Sequence, residues 1–280
     1  MLDLLLTKEP IIRFGLFVGI FAAMALWEAA APRRQRKISR RLRWTNNLSV
    51  VVLGTVLVRL VFPVLAVGSG LMAEELGWGL FNVVAVPPWL AFVASLVVLD
   101  LAIYLQHVLF HAVPALWRLH RMHHADLEFD VTTGLRFHPL EMLLSMGIKL
   151  AVVAAFGAPG AAVLVFEVLL NATSMFNHSN VRIPLGLDKV LRWIVVTPDM
   201  HRVHHSLHPS ETNSNFGFNL PWWDRLLGTY LAQPREGHEK MTIGIEQFRT
   251  VRDLWLDRML FQPVRGAART YPINRPDSTT

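Results

Sequence analysis

Apolar runs close to the length of a bilayer constrain this chain more than any other feature. They cover 11–31, 48–69 and 87–110, and each approaches or reaches the roughly 20 residues that a spanning helix needs. Two shorter runs, 142–157 and 160–177, follow and are separated by GAPG at 157–160. They read as a tight helical hairpin or a re-entrant pair. A segment in hydrocarbon has no water to satisfy its backbone, so such runs must become helices. Composition agrees: 52% of the chain is apolar and 17% charged, where soluble domains carry ~25% charge. The expectation is an all-α, polytopic membrane bundle with a histidine-rich helical cap.

Orientation follows from the basic residues. Seven of them crowd into PRRQRKISRRLRW, residues 32–44, where they suit an anionic lipid surface and the cytoplasmic side. The 70–86 segment has Glu74 and Glu75 and no Lys or Arg, which places it outside. The chain from 179 onward holds thirteen Lys and Arg and is expected inside. Five spans then put every histidine on the cytoplasmic side of a membrane such as the bacterial inner membrane. Cleavage after the small residues at 29–31 would leave those seven basic residues leading an exported chain, so the first run is expected to stay as an anchor. The division expected is 1–86 as a two-helix anchor with a basic loop, 87–235 as the catalytic unit and 236–280 as a cytoplasmic segment. The tail after about 265 is expected to be poorly ordered and dispensable. The net charge of +6 comes with no recognised nucleic-acid module, so nucleic acid is not an expected partner.

The polar residues point to a metal. Two five-residue boxes, HRMHH at 120–124 and HRVHH at 201–205, take six of only twelve histidines. HVLFH adds His107 and His111, and His178 stands in NHSN. Offsets of three and four bring helical side chains to one face. Thr197 as N-cap and Pro198 in the first turn predict a helix starting just before His201. There is no cysteine, so thiolate zinc sites, iron–sulfur clusters and disulfides are excluded. Neutral imidazoles suit a divalent transition metal. Eight boxed histidines, or nine with His178, exceed the six ligands of one ion and suit two.

Ionisable residues inside a membrane are costly and usually paired. If the second run begins at 48, Arg59 lies eleven residues in, Asp100 eleven before His111 and Glu167 eleven before His178. One depth, roughly 16 Å, predicts an Arg59–Asp100 or Arg59–Glu167 pair beneath the metals.

HVLFH, HRMHH and HRVHH, together with RFHPLE at 136–141 and NFGFNLPWWDRLLGTY at 215–230, resemble the fatty acid hydroxylase and sterol desaturase superfamily over about 95–230. The resemblance implies a membrane-bound di-iron oxygenase that uses O2 and external electrons to hydroxylate or desaturate a lipid. It implies as metal ligands His107, His111, His120, His123, His124, His201, His204 and His205, with His178 where relatives have a further histidine. His138 matches a recurrent position and is expected to support the ligands or the fold. Asp100 and Tyr104 share a helical face with His107 and His111, so either can orient ligands; Asp199, Glu211 and Asp224 are further candidates. His208 and His238 lie outside the boxes and are expected at the surface. No cytochrome b5-like segment, GxGxxG or cysteine set is present, so electrons are expected from a separate redox protein at the basic face. A membrane metal transporter or metal store is the competing class. A transport path places its ligands near the midplane, whereas these histidines gather at helix ends.

Overall fold

The computed structural model describes residues 8–84, 86–267 and 271–273. Apolar segments fold as α1 (Glu9–Ala30) and α2 (Arg40–Val61) and then, past the short α3 (Ala66–Leu76), as α4 (Pro88–Ala112). The amphipathic α5 (Pro114–His124) turns off the end of α4, and α6 (Pro139–Phe156) and α7 (Gly160–Asn177) form a hairpin. Among the short helices that follow are α8 (Leu185–Leu191), α9 (Pro198–His204) and α10 (Trp222–Leu226). Among the described residues there is no strand, only the bridges Pro32–Val181 and Ser206–Ile243. Proline opens α4, α5, α6 and α9, the one helical position where its missing N–H costs nothing.

Five segments are long and apolar enough to cross a bilayer: α1, the stretch from Arg40 to Val83 that begins with α2, α4, α6 and α7. They display Phe14, Val52, Leu60, Val93 and Leu169 outward, as a lipid-facing surface requires. The protein is an integral, multi-pass membrane protein. At 18 residues each, α6 and α7 are about 27 Å long, a little short of the hydrocarbon thickness. α3, at the start of the segment expected outside, packs as a roof over their turn. A Cβ on Gly70 would stand 2.8 Å from the Ala158 carbonyl oxygen, and one on Gly79 would stand 2.2 Å from the Gly157 nitrogen.

Two charge expectations are corrected. α2 runs from Arg40 to Val61 and not over 48–69, so Arg59 sits in its last turn, where a cation suits the C-terminal carbonyls. Arg59 is exposed and pairs with neither carboxylate. Glu167 instead binds Arg13 at 2.8 Å and Lys149 at 2.6 Å, joining α1, α6 and α7. Asp100 accepts a hydrogen bond from Trp223 Nε1 at 2.7 Å. The basic loop, too, is drawn inward. Arg33 reaches Asp199 at 3.2 Å, Arg34 donates to the His238 and Met241 carbonyls, and the buried Arg43 joins Asp126 at 2.7 Å and Asp130.

Residues 265–267 and 271–273 contact the packed cap, where the tail after about 265 is expected to be poorly ordered. The Arg265 and Ala267 carbonyls accept from Arg121 at 2.5 and 2.7 Å. Tyr271 is buried with its ring stacked 5.5 Å from Trp117, and Ile273 N–H donates to the His111 carbonyl. The end expected to be unstructured, 274–280, lies outside the described residues.

Candidate metal centre

Nine histidines meet where α4, α5, α7 and α9 end. His107, His111, His120, His124 and His204 form one group, and His123, His178, His201 and His205 a second; within each, one ring nitrogen per residue lies within 4.8 Å of all the others. All nine are buried. The HxxHH spacing explains itself here. At about 100° per residue, positions i and i+4 are about 40° apart on a helix, whereas i+3 lies about 60° to the other side. His120 and His124 therefore enter the first group while His123 turns to the second. His201 and His205 enter the second while His204 turns to the first. The rings of His124 and His205 stack at 4.5 Å where the groups touch.

Hydrogen bonds fix which nitrogen faces inward. Nδ1–H of His107 donates to the Phe216 carbonyl at 2.7 Å, that of His178 to the Ser174 carbonyl at 2.8 Å and that of His204 to the Ser214 carbonyl at 2.7 Å. His111 Nδ1–H donates to Asn213 Oδ1 at 3.0 Å, and His120 Nδ1–H to Glu141 Oε1 at 2.6 Å. The Nε2 lone pairs are thus left inside. Those of His107 and His120 face each other at 3.1 Å, and His178 Nε2 lies 3.2 Å from His123 Nε2 and 3.1 Å from His201 Nε2. Lone pairs so placed repel unless a cation lies between them. Ligands about 2.0–2.1 Å from one ion are separated by roughly 3.0–3.4 Å, so the spacing fits. The Nε2 atoms of His204 and His205 are buried without a protein partner, the state of a ligand atom. Burial, reinforced by neighbouring imidazoles, holds His123, His124, His201, His204 and His205 well below the ordinary histidine range. Burial likewise lowers His178, to about 3. The rings are neutral and ready to ligate.

The supporting residues were only partly foreseen. Glu141, the last residue of RFHPLE, holds His120 in the carboxylate–histidine arrangement that orients metal ligands, a role that its place in the sequence does not announce. Asp224 accepts from Phe216 N–H at 2.8 Å and Gly217 N–H at 2.9 Å, and so positions the carbonyl that receives His107. The Tyr104 hydroxyl shares a 2.8 Å hydrogen bond with Thr229 Oγ1, which donates to Asp224 Oδ1 at 2.7 Å. Asp100 touches no histidine and holds Trp223. Asp199 binds Arg33 and Arg202; burial raises its carboxyl, but Arg202, His238 and Arg33 more than offset this and hold it low. Glu211 accepts from Arg235 N–H at 2.7 Å. His138 caps α6, accepting from Leu140 N–H at 3.2 Å. His208 is half-buried beside Glu236 at 3.2 Å. His238 corrects the expectation of a surface residue: it is buried 3.8 Å from Asp199, because the basic loop and the C-terminal segment close over it.

The centre has two unlike sides. Phe137 stacks on His123 at 4.5 Å, and Phe218 lies within 6.1 Å of His107, His178 and His201. Both phenylalanines belong to the apolar core with Leu99, Ile103 and Phe166. Elsewhere, Phe129 lies 5.5 Å from His178 and 5.1 Å from His205. It also lines a cavity of about 420 Å³ with Arg34, Lys37, Glu128, Lys240 and Arg249.

A helical membrane protein with two buried groups of histidine nitrogens at the ends of its spans has the makings of a membrane metal site. Residues 92–229 match the fatty acid hydroxylase family. Over those residues the chain carries a fatty acid hydroxylase domain, and the curated relatives it matches fall in the same superfamily. It is 34% identical to an ornithine lipid hydroxylase of Rhizobium tropici over 51% of this chain and 42% of that one. It is 30% identical to an alkylglycerol monooxygenase of Xenopus tropicalis over 60% of this chain and 36% of that one. It is 27% identical to a sphinganine C4-monooxygenase of Arabidopsis thaliana, over 85% and 91%. The matches thus span less than half of the first two relatives. No solved structure matches the chain.

Proposed function

We propose that this protein is an O2-dependent lipid hydroxylase or desaturase whose nine clustered histidines hold two iron ions. The observation that carries this reading is the interlocking of two buried histidine groups at the ends of membrane helices. Bound iron with O2 supplies the oxidising power to break an unactivated C–H bond, which no side chain possesses. The chain's own part is to hold, orient and dry the site. His120 is fixed by Glu141, and His107 by the Phe216 carbonyl that Asp224 positions. Phe137 and Phe218 cover the membrane side, so an acyl or sterol-like chain approaches through apolar side chains. Relatives named as hydroxylases and monooxygenases favour oxygen insertion and support this reading over metal transport.

The catalytic unit is 87–235, with 1–86 as anchor and 236–280 as a segment closing over it, and the cage lies on the cytoplasmic side. Electrons come from a separate redox protein. The basic cavity above Phe129 supports docking there, since Arg34 and Arg249 are held by carbonyls and not by carboxylates. Iron analysis of the gently purified protein, with lipid mass spectrometry of cells having and lacking it, tests the reading. Two irons per chain and a lipid gaining one oxygen or losing two hydrogens are expected. Metal flux into proteoliposomes without lipid change would overturn it.

A further inference from the structure

We propose that residues 215–231, together with α8, form a re-entrant element immersed in the lipid, and that it is the wall along which the lipid substrate reaches the metal centre. The first half stands on geometry alone; the second rests on the lipid-oxygenase reading above.

The path of the segment is fixed by its hydrogen bonds. It leaves the metal level at Phe216, whose carbonyl accepts from His107. The Phe218 carbonyl then accepts from Asn177 Nδ2 at 2.9 Å, and Asn219 Oδ1 accepts from the Thr173 hydroxyl. Trp223 reaches Asp100 at 2.7 Å. Asp100 is seven residues before His107 on α4, about 10 Å nearer the bilayer centre. The chain then climbs back. Thr229 meets Tyr104 at 2.8 Å, and Asn215 closes the loop by accepting from Leu231 N–H at 2.8 Å and donating its own N–H to the Thr229 carbonyl at 2.9 Å. The Asn219 carbonyl accepts from Val196 N–H at 3.0 Å and the Asp224 carbonyl from Thr229 N–H at 2.8 Å and Tyr230 N–H at 3.0 Å, internal partners of the kind that irregular chain in a membrane requires.

The outer face of this loop is apolar and open. Leu226 is 73% exposed, and Trp222 and Leu227 are exposed beside it. α8 continues the surface with Leu185, Val190 and, just past its end, Ile194. The two pieces are tied: Trp222 Nε1 donates to the Trp193 carbonyl at 2.7 Å, and the Arg225 guanidinium lies 3.8 Å over the Trp193 ring. A contiguous apolar face of this kind marks an interaction site. Tyr104 and Thr173, which bond this loop, stand next to the exposed Leu105 of α4 and one turn from the exposed Leu169 of α7, and this nearness to the lipid-facing side of two spans makes lipid the occupant. Lys189 on α8 is long enough to reach the headgroups. Inward from the same loop, Phe218 joins this surface to the histidines, so a chain sliding along the loop arrives at the cage.

The chain has no cysteine, so single-cysteine variants carry an unambiguous label. Leu226→Cys and Leu187→Cys, bearing an environment-sensitive fluorophore in nanodiscs, should be quenched by brominated acyl chains and protected from aqueous iodide. Leu105→Cys serves as the immersed reference and Arg258→Cys as the aqueous one. Iodide quenching of Leu226→Cys equal to that of Arg258→Cys would overturn the proposal. So would shielding from both quenchers with crosslinking of Leu226→Cys between copies, which would make the face a self-association surface. Leu226→Asp should lower lipid turnover on the order of tenfold at unchanged metal content; undiminished turnover would remove the access role. Absence of iron in the unaltered protein would instead count against the functional reading and leave the immersion result standing.

Discussion

At the scale of single residues, the contact of the candidate centre most open to test is the 2.6 Å hydrogen bond from His120 on α5 to Glu141 on α6. Nine histidines stand out in a sequence because few residue types bind metal at offsets of three and four. Glu141 does not, because its partner His120 lies on another helix and a single Glu after a proline reads as an ordinary first-turn acid. Its role is testable. Glu141→Ala should weaken metal binding roughly 10–100-fold in a metal titration, and Glu141→Gln, which keeps an acceptor, should lose less. His204→Ala should abolish turnover and lower the metal content measured after purification, whereas His208→Ala, half-buried beside Glu236, should leave both unchanged. His238 shows why position outside a motif is a poor guide to burial: its cover comes from residues more than two hundred positions upstream.

At the scale of elements, all five spans are readable from apolar length, each to within a few residues except α2, which runs from Arg40 to Val61 and not over 48–69. That start was missed because Arg40–Asn47 is polar, yet Ser39 caps it and accepts from Leu42 N–H at 3.4 Å. Both ends of α2 lie eight residues before those of the 48–69 run, so Arg59 falls in the last turn and not at mid-membrane, out of reach of either carboxylate. The GAPG break was legible, but the roof over it was not, because nothing local to 66–83 announces a partner eighty residues away. Gly79 has φ of 87° and no room for a side chain. Gly79→Ala should therefore cost about 1–3 kcal/mol, read as a lowered midpoint of thermal unfolding in detergent, with Gly15→Ala, which meets nothing, as the neutral comparison.

At the scale of the whole molecule, charge joins the membrane bundle to the cap. Burial pushes the Asp126 carboxyl up, but Arg43 and Arg136 more than offset this and hold it at about 2. Asp126→Asn leaves Arg43 buried with less compensation and should destabilise the fold by about 3–5 kcal/mol, measured by unfolding in detergent. Truncation after residue 265 removes Tyr271 from the Trp117 ring and Ile273 from the His111 carbonyl, and should lower both the unfolding midpoint and metal retention. The division of labour within each HxxHH box reaches furthest. Because α5 and α9 each donate to both cages, neither ion can settle without fixing the helices that the other needs. Occupancy should therefore be cooperative, with half-loaded molecules scarce at every stage of a titration.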